Sequence, residues 1–142
     1  MSAIRSKNTS PELVVRATLH RAGFRYRLHV TALPGSPDVV VAKHHAVVLI
    51  HGCFWHLHEC SLFRWPKTRE EFWRQKLEGN RARDERNVQL LVGEGWRVAV
   101  VWECALRRAD RRAASLDFLM QWLMGESPRL ELAERNNLGE PE

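Results

Sequence analysis

Within the run Ile50-His51-Gly52-Cys53-Phe54-Trp55-His56-Leu57-His58-Glu59-Cys60 lie two thiols and three imidazoles, far more soft-ligand chemistry than packing requires. Cys53, His58 and Cys60 form a C-x4-H-x-C pattern that brings two thiolates and one imidazole within reach of one ion. Zinc takes four ligands, and Cys104, the remaining cysteine, stands at the end of a later strand-like run. A Cys3His tetrahedron leaves no position open for water, which makes such a zinc structural rather than catalytic. The alternative, three small buried hydrophobes, leaves their crowding with His58 unexplained. Under the zinc scheme His51 and His56 are free for chemistry.

A second constellation is Pro37-Asp38 at the start of one strand, with the next strand ending at Ile50-His51. A lone aspartate is most often a turn or cap residue. Here adjacent strands would set Asp38 beside the Ile50 carbonyl, a hard oxygen pair suited to Mg²⁺ that keeps several of its waters. His51 and His56 could then activate water or protonate a leaving oxygen in phosphodiester hydrolysis. Glu12, on the first helix, could orient such a histidine or a metal-bound water.

The aromatics come third. Phe54 and Trp55 sit between metal ligands on a loop, where two large rings are costly unless they meet a partner or tuck back into the core. Helical spacing puts Phe72, Lys76, Asn80 and Arg83 on one face of a long helix, next to Trp73. That stripe reads either as a solvated helix side or as an aromatic wedge between base pairs, with amide and ammonium groups reading base edges.

These residues need a scaffold. Ser10-Pro11-Glu12 predicts a helix capped by Ser10 and stopped by Gly23. Phe24 to Leu28, Asp38 to Val41 and Ala46 to Ile50 read as strands, with His44-His45 at a turn. Thr68-Arg69-Glu70-Glu71 has the form of a capping box opening a helix to about Val92. Trp96 to Trp102 reads as a strand, Ala113 to Met124 as a helix, and the polar segment from Gly125 to Glu142 as a loosely ordered tail. The expected order is helix, three strands, helix, strand, helix: an α/β domain over residues 1–124, with one mixed sheet flanked by helices.

A chain of 142 residues with 44% apolar content can bury one real core. Its charge of +5 and pI near 9.6, carried mostly by arginine, suit phosphate recognition. The longest apolar run, Ala46 to Ile50, is strand-sized, well short of the roughly 20 residues of a membrane span. No apolar stretch follows Met1, so the cytoplasm is the expected compartment. Three cysteines there favour a metal site over disulfides.

The string His51-Gly52-Cys53-Phe54-Trp55-His56 with His58 and Cys60, the preceding Leu33-Pro34-Gly35-Ser36-Pro37-Asp38, and the later Gly95-Trp96-Arg97-Val98 and Val101-Trp102-Glu103-Cys104-Ala105-Leu106 together resemble the very-short-patch repair (Vsr) DNA mismatch endonucleases. The resemblance covers residues 1–124. It implies a restriction-endonuclease-like fold and a Mg²⁺-dependent nick in one strand, 5′ of the thymine in a T:G mismatch left by deamination of 5-methylcytosine. Asp38 would match the metal-binding aspartate, with the Ile50 backbone carbonyl where some relatives have threonine. His56 would match the histidine that activates water, assisted by His51 and Glu12. Cys53, His58, Cys60 and Cys104 would match the structural zinc ligands. Phe54, Trp55 and Trp73 would match the wedging aromatics, and Lys76 and Asn80 residues that sense the mispaired bases. Double-stranded DNA is the implied partner, alongside mismatch-repair proteins and a cytosine-5 methyltransferase system, for a monomer working at the nucleoid.

Two departures stand out. Family members often carry an N-terminal arm against DNA ahead of the segment matching Met1 to Arg5. Its absence predicts either weaker DNA binding or a start further upstream. The second carboxylate and lysine usual in nucleases are also missing, since Ile50 and His51 stand in their places. The family shares this, so it points to histidine chemistry.

Overall fold

The computed structural model describes residues 9–134. The segment matching Met1 to Arg5 and the last residues of the expected tail lie outside that range. Eight elements follow one another: α1 (Ser10–Arg21), β1 (Arg27–Leu28), β2 (Val39–Val41), β3 (Ala46–His51), α2 (Glu70–Gly93), β4 (Arg97–Trp102), α3 (Ala109–Met124) and β5 (Arg129–Leu132). The strands form one sheet in the order β1-β2-β3-β4-β5. β1, β2 and β3 pair antiparallel, whereas β3, β4 and β5 pair parallel, with α2 and α3 as the crossovers.

β3 is buried along its whole length, as an apolar run covered on both faces must be. Its alternation divides the core. Ala46, Val48 and Ile50, with Ala99 and Val101 of β4, meet Val15 and Leu19 of α1 and Leu119 and Leu123 of α3. Val47 and Leu49, with Val98 and Val100, meet Val88 and Leu91 of α2. Each buried valine, leucine or isoleucine among them contributes about 1.5–3 kcal/mol. By the same period of two, His51 and Trp102 project to the α2 face, and the ladder pairs them directly.

The structure corrects several boundaries. Thr9, not Ser10, is the α1 N-cap, and its side chain makes no capping bond. Of the expected strand Phe24 to Leu28 only Arg27–Leu28 pairs; Phe24 and Tyr26 instead pack on the α1/α3 core. The Thr68 capping box does not form, because Arg69 takes the N-cap position in a left-handed conformation (φ 55°) without a side-chain cap. α3 begins at Ala109, four residues earlier than Ala113. The largest difference is β5. Gly125 to Glu142 reads as tail because Arg129-Leu130-Glu131-Leu132 is half charged, yet Leu132 is fully buried and the strand closes one edge of the sheet. No helix among the described residues is long and apolar enough to cross a membrane.

Candidate active site and metal centre

β3 and β4 run parallel with His51 opposite Trp102, so the residues following the two strands emerge side by side. That brings Cys53, just past β3, against Cys104 in the single turn of 3-10 helix Glu103–Ala105 just past β4. The loop then folds back: the His58 amide donates to the Cys53 carbonyl at 2.9 Å and the Cys60 amide to the His58 carbonyl at 2.9 Å. One ligand atom from each of Cys53, His58, Cys60 and Cys104 lies within 4.8 Å of the others, and Cys104 Sγ stands 3.6 Å from His58 Nδ1. With zinc–sulfur bonds of about 2.3 Å and zinc–nitrogen bonds of about 2.0–2.1 Å, the S···N edge of a tetrahedron is about 3.6 Å. The donor set therefore fits zinc in both type and spacing.

Backbone amides point at two of the sulfurs. The Leu62 amide donates to Cys60 Sγ at 3.4 Å and the Glu134 amide to Cys104 Sγ at 3.3 Å. Hydrogen bonds from Cys53 and His58 hold the Cys104 thiol far below its usual range, to about 4, while that contact and burial push Cys53 up. The expected tail also contributes here. Glu134 carboxylate oxygens accept from the Ser61 amide at 2.8 Å and the Ser61 hydroxyl at 2.5 Å, tying the end of β5 to the ligand loop.

Next to this centre opens a cavity of about 660 Å³, lined by α1, the loop before β2, the end of β3 and α2. Two polar clusters share it. In the first, Asp38 Oδ2 accepts the Ile50 amide at 2.7 Å, and His29 Nε2 meets Glu12 Oε1 at 3.1 Å, with ligand atoms of Glu12, His29 and Asp38 within 4.8 Å. Burial raises the Asp38 carboxyl from 3.8 to about 7; the Ile50 amide opposes that, and the nearby Glu12 charge adds to it. Two carboxylates facing one cavity, Glu12 buried and Asp38 half-buried, are a hard oxygen set of the kind a divalent cation relieves.

The sequence places Asp38 beside the Ile50 carbonyl, whereas the contact runs to the Ile50 amide. The carbonyl nonetheless faces the same strand edge, because N–H and C=O of one strand residue project to the same side. Extending the β2–β3 register puts Pro37 opposite Ile50, and proline has no N–H to offer that carbonyl.

In the second cluster the His56 Nδ1 to Asp84 Oδ2 separation is 2.5 Å, and the His51 ring stacks on His56 at 4.0 Å between centroids. Burial, and then the proximity of His56, lower His51 to about 3, so it is neutral near pH 7. The structure thus brings His51 and His56 together but gives Glu12 a different histidine, His29. The sequence reading missed His29 and Asp84. His29 is an isolated histidine outside any motif, at a positive φ of 48°. Asp84 lies four residues after Asn80 on the cavity side of α2, where the sequence reading followed the stripe to Arg83 instead.

The aromatics form one partly exposed cluster. Phe54 lies 4.9 Å from Trp55 and 5.6 Å from Trp73, Trp55 is 5.8 Å from Trp73, and Phe72, 44% exposed, is 5.1 Å from Trp73. Beneath them Leu57, Phe63 and Leu77 are buried. Lys76 is exposed on α2. Asn80 is engaged at both ends, its Nδ2 donating to the Trp55 carbonyl at 3.0 Å and its Oδ1 accepting from Arg83 at 3.0 Å.

Comparison with known proteins agrees with this picture. Residues 1–62 match the family model for the DNA mismatch endonuclease Vsr. The chain is 40% identical over 134 residues to the DNA mismatch endonuclease Vsr of Escherichia coli K12, spanning 93% of this chain and 86% of the relative. It is 53% identical over 106 residues to the type II nicking enzyme V.XorIIP of Xanthomonas oryzae pv. oryzae, covering 75% and 78%. It is also 45% identical over 107 residues to the nicking enzyme V.NmeAIP of Neisseria meningitidis serogroup A, covering 75% and 76%.

Proposed function

The chain belongs to the Vsr family of DNA mismatch endonucleases, and from that membership we propose that it nicks one DNA strand 5′ of the thymine in a T:G mismatch produced by deamination of 5-methylcytosine. It is a DNA endonuclease, a hydrolase of phosphodiester bonds. The observation that carries the mechanism is one cavity with the half-buried Asp38 carboxylate on one wall and an aspartate-held histidine on the other.

Asp38 and the Ile50 carbonyl would hold Mg²⁺, which polarises a phosphate and stabilises the charge that develops on it. Glu12, paired with His29, adds negative potential to that wall and would help to hold the ion there. Asp84 accepts from His56 Nδ1, leaving His56 Nε2 as the basic atom that takes the proton of the attacking water. His51, neutral and stacked on His56, fixes that ring without competing for the proton.

Phe54, Trp55 and Trp73 would wedge into the duplex at the mismatch, where unstacking costs least. Lys76 would meet base edges directly, and Asn80 would act first by holding the Trp55 backbone. The Cys53, His58, Cys60 and Cys104 zinc would be structural, and the sheet would be a restriction-endonuclease-like core. The setting would be the cytoplasm, on nucleoid DNA, with the protein acting as a monomer beside mismatch-repair proteins and a cytosine-5 methyltransferase.

The test is incubation of purified protein with Mg²⁺ and end-labelled T:G duplexes in varied flanking sequence, beside matched T:A controls. A nick confined to the thymine strand and to T:G duplexes is expected. Equal cutting of T:A, or none in any context, would overturn the assignment.

A further inference from the structure

His51 presents a physical problem. Its Nδ1 is buried and has no hydrogen-bond partner among the described residues, so no bond at that atom fixes the ring on which His56 stacks. What fixes it is packing. His56 covers it at 4.0 Å with an interplanar angle of 7°, and Trp102, its partner in the β3–β4 ladder, meets it edge-on at 5.1 Å and 69°.

Trp102 is itself held from two further sides. Its ring stacks on His58 at 4.1 Å and 10°, and its indole N–H donates to Glu131 Oε2 of β5 at 2.6 Å. Four rings therefore form a continuous array from the Cys3His cluster to the histidine bonded to Asp84: His58, Trp102, His51, His56. The array also separates two spaces, since His51, His56 and Asp84 line both the front cavity and a second one of about 420 Å³ behind them, which Trp102 and Glu131 also line.

We propose that Trp102 is a positioning residue for strand cleavage, coupling the Cys3His cluster to the His51–His56 pair by stacking on His58 and bracing His51. The proposal rests on the reading of His56 as the base. A ring held only by faces and edges loses its orientation when a neighbouring face is removed, and a histidine a fraction of an ångström out of place loses rate without losing affinity. Glu131, from a strand the sequence does not announce, sets the rotation of the indole.

The experiment compares Trp102→Leu and Trp102→Phe with wild type in the full-length, metal-replete protein. Three quantities are read: zinc per chain, affinity for a T:G duplex with Ca²⁺ in place of Mg²⁺, and the single-turnover nicking rate with Mg²⁺. Trp102→Leu should keep its zinc and bind DNA within about threefold of wild type, yet nick at least about thirtyfold more slowly. Trp102→Phe keeps an aromatic face and should recover most of that rate. Independently of activity, the ring C–H resonances of His51 and His58, displaced by the indole, should move toward ordinary histidine positions in Trp102→Leu. Unmoved histidine resonances or an unchanged rate would overturn the proposal, as would loss of zinc in both variants, which would make Trp102 a support of the metal cluster alone. If wild type itself nicks no mismatched duplex, the functional reading fails instead, and the resonance test still decides whether Trp102 orders the rings.

Discussion

Replacing Asp38 by asparagine should make the Mg²⁺-free protein more stable as pH rises while abolishing its activity. The Asp38 carboxyl is raised from 3.8 to about 7, chiefly by burial, with Glu12 nearby. The folded state therefore holds a proton that the unfolded chain has released between those two values, and stability falls as pH rises through the window. The full shift corresponds to about 4 kcal/mol at about 1.36 kcal/mol per unit. Between pH 5 and pH 8 the share lost is about 2–3 kcal/mol, which for a chain of this size is about 5–10 °C in Tm. Wild type alone does not isolate this term. His51, lowered to about 3, contributes the opposite slope between that value and 6.5, because the unfolded chain binds its proton first. The difference between Asp38→Asn and wild type cancels His51, and asparagine Oδ1 still accepts the Ile50 amide. Thermal unfolding should be followed from pH 5 to 8.5 without chelator, so that a thiolate-bound metal stays in place. The variant's Tm advantage should widen by about 5–10 °C from pH 5 to pH 8, and 10 mM Mg²⁺ should narrow it by stabilising wild type only. Parallel curves at all pH values, or an equal Mg²⁺ effect on both proteins, would refute the reasoning.

Cys104→Ser should lose the bound zinc and much of the folded population, since one ligand of a closed site carries folding free energy; metal analysis and circular dichroism read it, and a folded, fully metallated variant would contradict the assignment. His56→Ala and Asp84→Asn should each lower single-turnover nicking, His56→Ala by at least a hundredfold and Asp84→Asn by about tenfold or more, with mismatch binding retained; a wild-type rate in either removes that residue from the mechanism. Trp55→Ala or Trp73→Ala should narrow the preference for T:G over T:A duplex with the salt dependence of binding nearly unchanged; a preserved preference with a reduced salt slope would place these rings on the phosphate side. Glu134→Ala should loosen the Ser61 end of the ligand loop and speed zinc transfer to a chelator several-fold, and an unchanged transfer rate would show that β5 does not secure the loop.

The legible parts of the fold were those with a strong local period or a long apolar run. Ala46 to Ile50 and Trp96 to Trp102 read as strands because nothing else buries such runs in so few residues, and the structure has strands at Ala46–His51 and Arg97–Trp102. The failures share one cause. β1, β5 and the start of α2 owe their form to partners distant in sequence: β1 to its pairing with β2, and β5 to its pairing with β4 and the burial of Leu132, while Arg69 enters the helix through a left-handed turn where a capping box would have looked sufficient. Arg129-Leu130-Glu131-Leu132 does alternate, but four residues within a polar segment are too short a run to announce a strand.

The same division runs through the site. The gathering of Cys53, His58 and Cys60 was legible because their spacing is local, and that of Cys104 with them because the ends of neighbouring parallel strands come together. Asp84, His29 and Trp102 were not, for each acquires its chemistry from one contact across the fold: Asp84 from His56, 28 residues away, His29 from Glu12, 17 residues away, and Trp102 from His51 across the ladder. A motif reports residues that bind the same atom. Residues that hold such a group in place, as Asp84 holds His56, are set by packing and leave no spacing in the chain, so the supporting half of the site becomes visible only once the sheet and α2 are built.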